Sequence, residues 1–237
     1  EPPNNYNNTK KQIILIGVAR GMMVLHKHHI IHRDLKPDNI LLDDNLYPLI
    51  TDFGISKFFN PYHSMSQSMG DNGTIAYMAP EFICGEPFNT KADVYSFGIL
   101  MYEVVTDLVP YPQLLSGKMT VFSFNKKIVD EDFRPKFDGS VNQSIQKLIE
   151  SCWSKDPKER PTFEEIFKKL AYNIDDLADN IYDDRDDASD DYEGNNYYLD
   201  GVDVNEVLSY ASDIDNYRQS IKVEETEADS KLAQLMK

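Results

Sequence analysis

Apolar residues at Ile14, Val18, Met22 and Leu25 recur at helical spacing and predict one amphipathic helix from about Thr9 to His28. Two short apolar stretches, Asn39 to Leu42 and Leu49 to Thr51, flank the turn-like Asp43-Asp44-Asn45 and predict a small hairpin. From Val94 to Val105 the chain is apolar on nearly every side, so this helix is expected to run through the core and not along its surface. Ser140-Val-Asn-Gln143 and Thr162-Phe-Glu-Glu165 each have the spacing of a capping box that opens a helix. Apolar residues at 204, 207, 208 and 211 return to helical spacing near the end. The pattern is mainly α with one small hairpin.

Charge divides the chain. Of a net charge of −16 over 237 residues, −14 falls on residues 172–237, which hold nineteen acidic and five basic side chains. The densest stretch, Asp175 to Asp200, repels itself and offers few large aliphatics to offset its ordering entropy. A solvated, largely disordered acidic linker over 172–201 and a helical remnant over 202–237 are therefore expected to follow a domain over 1–171. A basic partner for the acidic tail is the alternative role. The overall balance argues against general affinity for nucleic acid or anionic membrane. No apolar run reaches eighteen residues, so no spanning helix is expected. Two cysteines, Cys84 and Cys152, suit neither a disulfide framework nor a zinc site, and a reducing, cytoplasmic location is the default expectation.

The chemistry gathers between residues 32 and 81. His32-Arg33-Asp34-Leu35-Lys36-Pro37-Asp38-Asn39 is followed by Asp52-Phe53-Gly54 and then by Ala79-Pro80-Glu81. A single Asp-Phe-Gly carries little weight, but the three elements in this order and spacing resemble the eukaryotic protein kinases. Asp93-Val-Tyr-Ser-Phe-Gly98 and Cys152-Trp153, with Asp156-Pro157-Lys-Glu-Arg160-Pro161-Thr162 after them, look like the tyrosine-kinase-like branch of the serine/threonine kinases. The resemblance spans about residues 9–171 and implies the larger, C-terminal helical lobe of the α+β kinase fold.

Phosphoryl transfer needs an oriented acceptor hydroxyl, neutralised phosphate charge and an in-line approach. By resemblance, Asp34 is the carboxylate that accepts or orients the hydroxyl proton, and Lys36 puts a cation at the transferring phosphoryl group. Asn39 and Asp52 supply one neutral and one anionic oxygen, suited to Mg²⁺ ions that also bind the phosphate oxygens of ATP. Leu41 matches the floor beneath adenine. His32 and Phe53, beside Gly54, are expected to stack in an apolar spine. Arg33 matches an arginine that pairs with a phosphorylated activation segment, for which Ser64, Ser66 and Ser68 are the candidate switch hydroxyls. Thr74 matches the threonine that contacts the catalytic aspartate and lysine, a serine/threonine-type feature. Asp93 resembles a buried aspartate that holds the catalytic-loop backbone, and Glu81 and Arg160 a distant ion pair.

Only 31 residues precede His32, and they read as a loop and one helix. The glycine-rich phosphate cover, its strand lysine and the adenine hinge have no room there, and Gly17 and Gly21 lie within the predicted helix. The chain is thus expected to be a piece of an ATP-dependent serine/threonine protein kinase whose substrates are proteins. A non-catalytic docking module built on the helical lobe is the competing reading. Residues 172–200 are expected to lack fixed structure, and hydrogen exchange showing protected backbone amides there would contradict this.

Overall fold

The computed structural model describes residues 6–52, 72–172, 199 and 201–214. Helix α1 spans Asn8–Lys27 and is opened by Asn7, whose side chain accepts the Lys10 N–H at 3.0 Å. Its buried face carries the predicted Ile14, Val18 and Met22, together with Ile13 and Leu15. After α1 comes the hairpin, as the sequence predicts: β1 (Ile40–Leu42) pairs antiparallel with β2 (Pro48–Ile50), with Leu41 opposite Leu49. Asn39 and Thr51 lie just outside the ladder and extend it, since the Thr51 N–H donates to the Asn39 carbonyl at 2.9 Å.

Two short helices follow, α2 (Asn72–Ile75) and α3 (Pro80–Ile83). The centre of the domain is α4 (Lys91–Thr106), in which every residue from Ala92 to Tyr102 is buried, as its all-round apolar character predicts. Around it stand α5 (Pro112–Leu115), α6 (Val121–Asp130), α7 (Gln143–Cys152) and α8 (Phe163–Tyr172). Helix α8 packs along α1, and α7 along α4. A last helix, α9, covers 204–214. Expected boundaries at 171 and 201 border residues outside the description, and nearly all of the acidic stretch and residues 215–237 lie outside it.

The two capping boxes have different fates. At Thr162 the box forms: its N–H donates to Glu165 Oε2 at 2.6 Å, and its hydroxyl accepts the Glu165 N–H at 3.2 Å. At Ser140 it does not. Helix α7 starts two residues later, capped by Asn142, which accepts the Ser144 N–H at 2.8 Å. Ser140 instead donates its hydroxyl and its N–H to Asp138 Oδ1, at 2.6 and 2.9 Å. Asp138 is two residues away in the same turn and outcompetes a helix not yet begun.

Arg160 ties α3 to the far end of the domain. Its guanidinium forks onto Glu81 at 2.6 and 2.8 Å, and also donates to the carbonyls of Ser154 and Lys91 at 2.9 and 3.0 Å. Both partners are buried, and the guanidinium covers the Tyr95 ring at 5.2 Å. Removing one member leaves the other as an uncompensated buried charge. Arg160→Met should therefore lower stability by about 3–5 kcal/mol, whereas Glu81→Leu together with Arg160→Met should cost less than Arg160→Met alone. Thermal melts of the three proteins check this ordering.

Candidate active site

The loop after α1 is fixed from below by α4. Asp93, in the first turn of α4, is fully buried and accepts the N–H groups of His32 and Arg33 at 2.9 and 2.8 Å, one on each carboxylate oxygen. His26 Nε2 reaches the same carboxylate at 2.8 Å, its ring set edge-on against Phe163. Held this way, Arg33 takes a left-handed backbone conformation, φ 70°. Asp34 follows directly after this turn, its side chain mostly buried.

His32 is buried and joins the loop to the hairpin. Its Nε2 lies 3.0 Å from the Thr51 carbonyl, and its Nδ1 accepts the Asp34 N–H at 3.3 Å. With Nδ1 accepting from Asp34, Nε2 is the ring nitrogen that donates to the Thr51 carbonyl. The expected stacking of His32 on Phe53 lies outside the described residues.

Four of the residues singled out in the sequence converge. Asp34 Oδ2 accepts the Asn39 amide at 2.9 Å and lies 3.3 Å from Lys36 Nζ. Lys36 Nζ also donates to Thr74 Oγ1 at 2.6 Å, although Thr74 lies 38 residues further on. Asn39 Nδ2 donates a second bond to the Asp34 carbonyl at 2.6 Å. Among the described residues, both side-chain contacts of Asp34 fall on Oδ2. The Asn39 amide nitrogen thus makes both of these bonds to Asp34.

The remaining residues are dispersed. Asp52 is exposed at φ 62°, one position beyond the carbonyl that His32 holds. Leu41 is 56% exposed on the outer face of the hairpin beside Leu49, an open apolar surface and not core. The Arg33 guanidinium lies over the Phe88 ring at 5.6 Å. Glu81 and Arg160 form their own buried pair away from this cluster. Phe53, Gly54, Ser64, Ser66 and Ser68 lie outside the described residues.

Sequence reasoning missed His26, and it missed a second contact near Thr74. The Tyr77 hydroxyl donates to the Glu103 carboxylate, while Ser96 Oγ donates to the Tyr77 carbonyl at 2.8 Å. Burial pushes both Tyr77 and Glu103 up from their ordinary values, with the Asp38 charge adding to each shift. A one-turn advance from Met22 would have put His26 on the predicted helix face. No local pattern pairs Tyr77 with Glu103.

A family model for the protein kinase domain matches residues 4–170. The chain belongs to the protein kinase family. Its relatives include a probable serine/threonine-protein kinase of Dictyostelium discoideum, 39% identical over 160 residues, or 66% of this chain and 11% of the relative. The serine/threonine-protein kinase STY17 of Arabidopsis thaliana is 34% identical over 166 residues, 70% of this chain and 28% of its own length. The dual specificity protein kinase shkE of Dictyostelium discoideum is 35% identical over 179 residues, covering 75% and 24%. The chain therefore spans well under half of these relatives. Likeness to serine/threonine and dual-specificity enzymes groups the kinase with the tyrosine-kinase-like branch.

Protein kinases use ATP with a divalent metal ion and act on proteins. The donor set suits such an ion: Asn39 Oδ1 and the Asp52 carboxylate are two hard oxygens, and Mg²⁺ is commonly held by one or two protein oxygens plus phosphates and water. Among the described residues no cluster of three His, Cys, Asp or Glu side chains could hold a metal by itself. No helix among them is long and apolar enough to cross a membrane.

Because Asp93 carries the loop, Asp93→Ala should orphan two backbone N–H groups and the His26 ring. A loss of about 3–5 kcal/mol is expected in urea unfolding. His26→Ala, which removes one of three donors, should cost distinctly less.

Proposed function

We propose that the kinase transfers the γ-phosphoryl group of ATP to serine and threonine hydroxyls of proteins. The observation that carries this reading is the Asp34–Lys36–Thr74 cluster, with its 2.6 Å and 3.3 Å contacts to one ammonium group. Asp34 Oδ1 accepts the proton of the incoming hydroxyl as the oxygen attacks phosphorus. Lys36, held between a carboxylate and a hydroxyl, offers its remaining donor capacity to the transferring phosphoryl oxygens. Thr74 limits how far that cation can swing. Asn39 and Asp52 would hold Mg²⁺, which when bound neutralises the phosphate charge.

Asn39 also turns the Asp34 carboxylate, since its amide spans the Asp34 backbone and side chain. Leu41, exposed beside the site, suits the adenine ring. Arg33 suits a phosphorylated residue among Ser64, Ser66 and Ser68, as a cation one position from the catalytic carboxylate. Catalysis of this kind is mainly positioning and electrostatics, so these 237 residues alone, without a cover over the phosphates, should show at most trace turnover.

The test uses the complete protein that contains this chain and a generic basic protein substrate. Asp34→Asn should lower turnover by about 10²–10⁴-fold. Phosphoamino-acid analysis should give mainly phosphoserine and phosphothreonine, and mainly phosphotyrosine would refute the proposed specificity. A folded, nucleotide-bound but inactive complete protein would favour the docking-module reading.

A further inference from the structure

Helix α9 lies beyond the stretch matched by the family model, yet it is built into the lobe. Val207 and Ala211 are fully buried and Tyr210 nearly so, all within the main core. Asp203 caps the helix, its Oδ1 accepting the N–H groups of Asn205 and Glu206 at 3.0 and 3.1 Å. The Asp203 N–H in turn donates to Thr9 Oγ1 at 2.8 Å, and Glu206 pairs with Lys10 at 2.7 Å. The first turn of α9 is thereby fastened to the first turn of α1.

What α9 presses on is the turn end of the hairpin. The Tyr210 and Tyr47 rings pack at a tilt of 44° with centroids 4.6 Å apart, and Lys10 Nζ lies over the Tyr47 ring at 5.4 Å. The Tyr210 hydroxyl and the Pro48 ring both crowd Gly17, where a Cβ would overlap each of them. Further along α1, a Cβ at Gly21 would sit 2.6 Å from Ile50 Cδ1. The two glycines let the hairpin lie directly on the α1 backbone, and Tyr210 closes over it from the other side.

A hairpin of two three-residue strands has little stability of its own. Its outer face is open, with Leu41 and Leu49 each 56% exposed. Its turn end is held by α9, and its open end carries Asn39 and leads into Asp52.

We propose that α9 positions the metal-binding oxygens of the kinase, with Tyr210 as the positioning residue that sets Asn39 and Asp52 through the hairpin. This rests on the reading that Asn39 and Asp52 hold the divalent ion. Tyr210 touches neither substrate nor metal. It acts by denying the hairpin its rocking motion, so that the two oxygens stay at a fixed separation.

The experiment uses the 237-residue chain, with Mn²⁺ alone as the metal probe. Amide exchange is followed at Asp43, Leu46 and Thr51, whose N–H groups close the turn and the open end of the hairpin. Mn²⁺ binding is followed separately by paramagnetic broadening of the Ile40 and Thr51 amide signals. Tyr210→Ala should speed exchange at the three hairpin amides by about tenfold and leave the interior amides of α7 unchanged. It should also raise the Mn²⁺ needed for half-broadening by about tenfold, the size of effect typical of groups that orient a metal ligand. Tyr210→Phe, which keeps the ring on Tyr47, should restore both. Glu206→Lys, which sets two ammonium groups against each other at Lys10, is a milder variant and should move both readouts in the same direction.

Unchanged hairpin exchange in Tyr210→Ala and Glu206→Lys overturns the proposal. So does faster hairpin exchange with wild-type Mn²⁺ binding, provided Asp52→Asn abolishes the broadening; the metal assignment then stands without α9. If Asp52→Asn leaves broadening intact, the metal assignment itself has failed, and α9 is reduced to a brace. Loss of protection in α7 along with the hairpin, in both variants, would make α9 a general stabiliser and would also overturn the positioning role.

Discussion

A single buried carboxylate sets the geometry of the lobe. Asp93 has no exposure to water and compensates by accepting three donors, two of them consecutive backbone N–H groups. A charge in that position is tolerable only while its donors stay in place. The same carboxylate holds the left-handed turn at Arg33 by its N–H. Asp34, Lys36 and Asn39 inherit their positions from that turn. Asp93 itself belongs to α4, the most thoroughly buried helix of the domain. Rigidity in the core thus becomes orientation at the surface.

Helix α4 also steadies the chain that returns to the loop after the second motif. Ser96 holds the Tyr77 carbonyl, Glu103 holds the Tyr77 hydroxyl, and Arg160 binds both the Lys91 carbonyl and Glu81. Thr74 and α3 are therefore referenced to the same helix that carries Asp93. Two segments far apart in sequence meet at Lys36 because one element measures out both.

Much of this architecture could be read in advance, for identifiable reasons. α1 and α4 follow from hydrophobic spacing over many residues, where single exceptions do not matter. The hairpin follows from turn chemistry at Asp43-Asp44-Asn45, which the structure uses directly: Asp43 Oδ1 accepts the N–H groups of Asn45 and Tyr47 at 2.8 Å each. The start of α7 was misplaced because Ser140 and Asn142 are both good caps, and only the nearby Asp138 decides between them. Within the site, Asp34, Lys36, Asn39 and Thr74 carried a family pattern, whereas His26, Tyr77 and Glu103 owe their places to tertiary packing. Tyr210 stood outside the apolar repeat at 204, 207, 208 and 211. Its packing depends on Gly17, nearly two hundred residues away, which no local window contains.

The shared ammonium group of Lys36 has a thermodynamic consequence. One cation is held at once by Asp34 and by Thr74, so the free energy of ordering residues 72–75 includes the state of the carboxylate across from them. Linkage is reciprocal: if fixing α2 favours the bound geometry at Asp34 by some factor, then filling the space at Asp34 favours a fixed α2 by the same factor. Occupancy of the site and order in the returning segment are two readings of one coupled equilibrium.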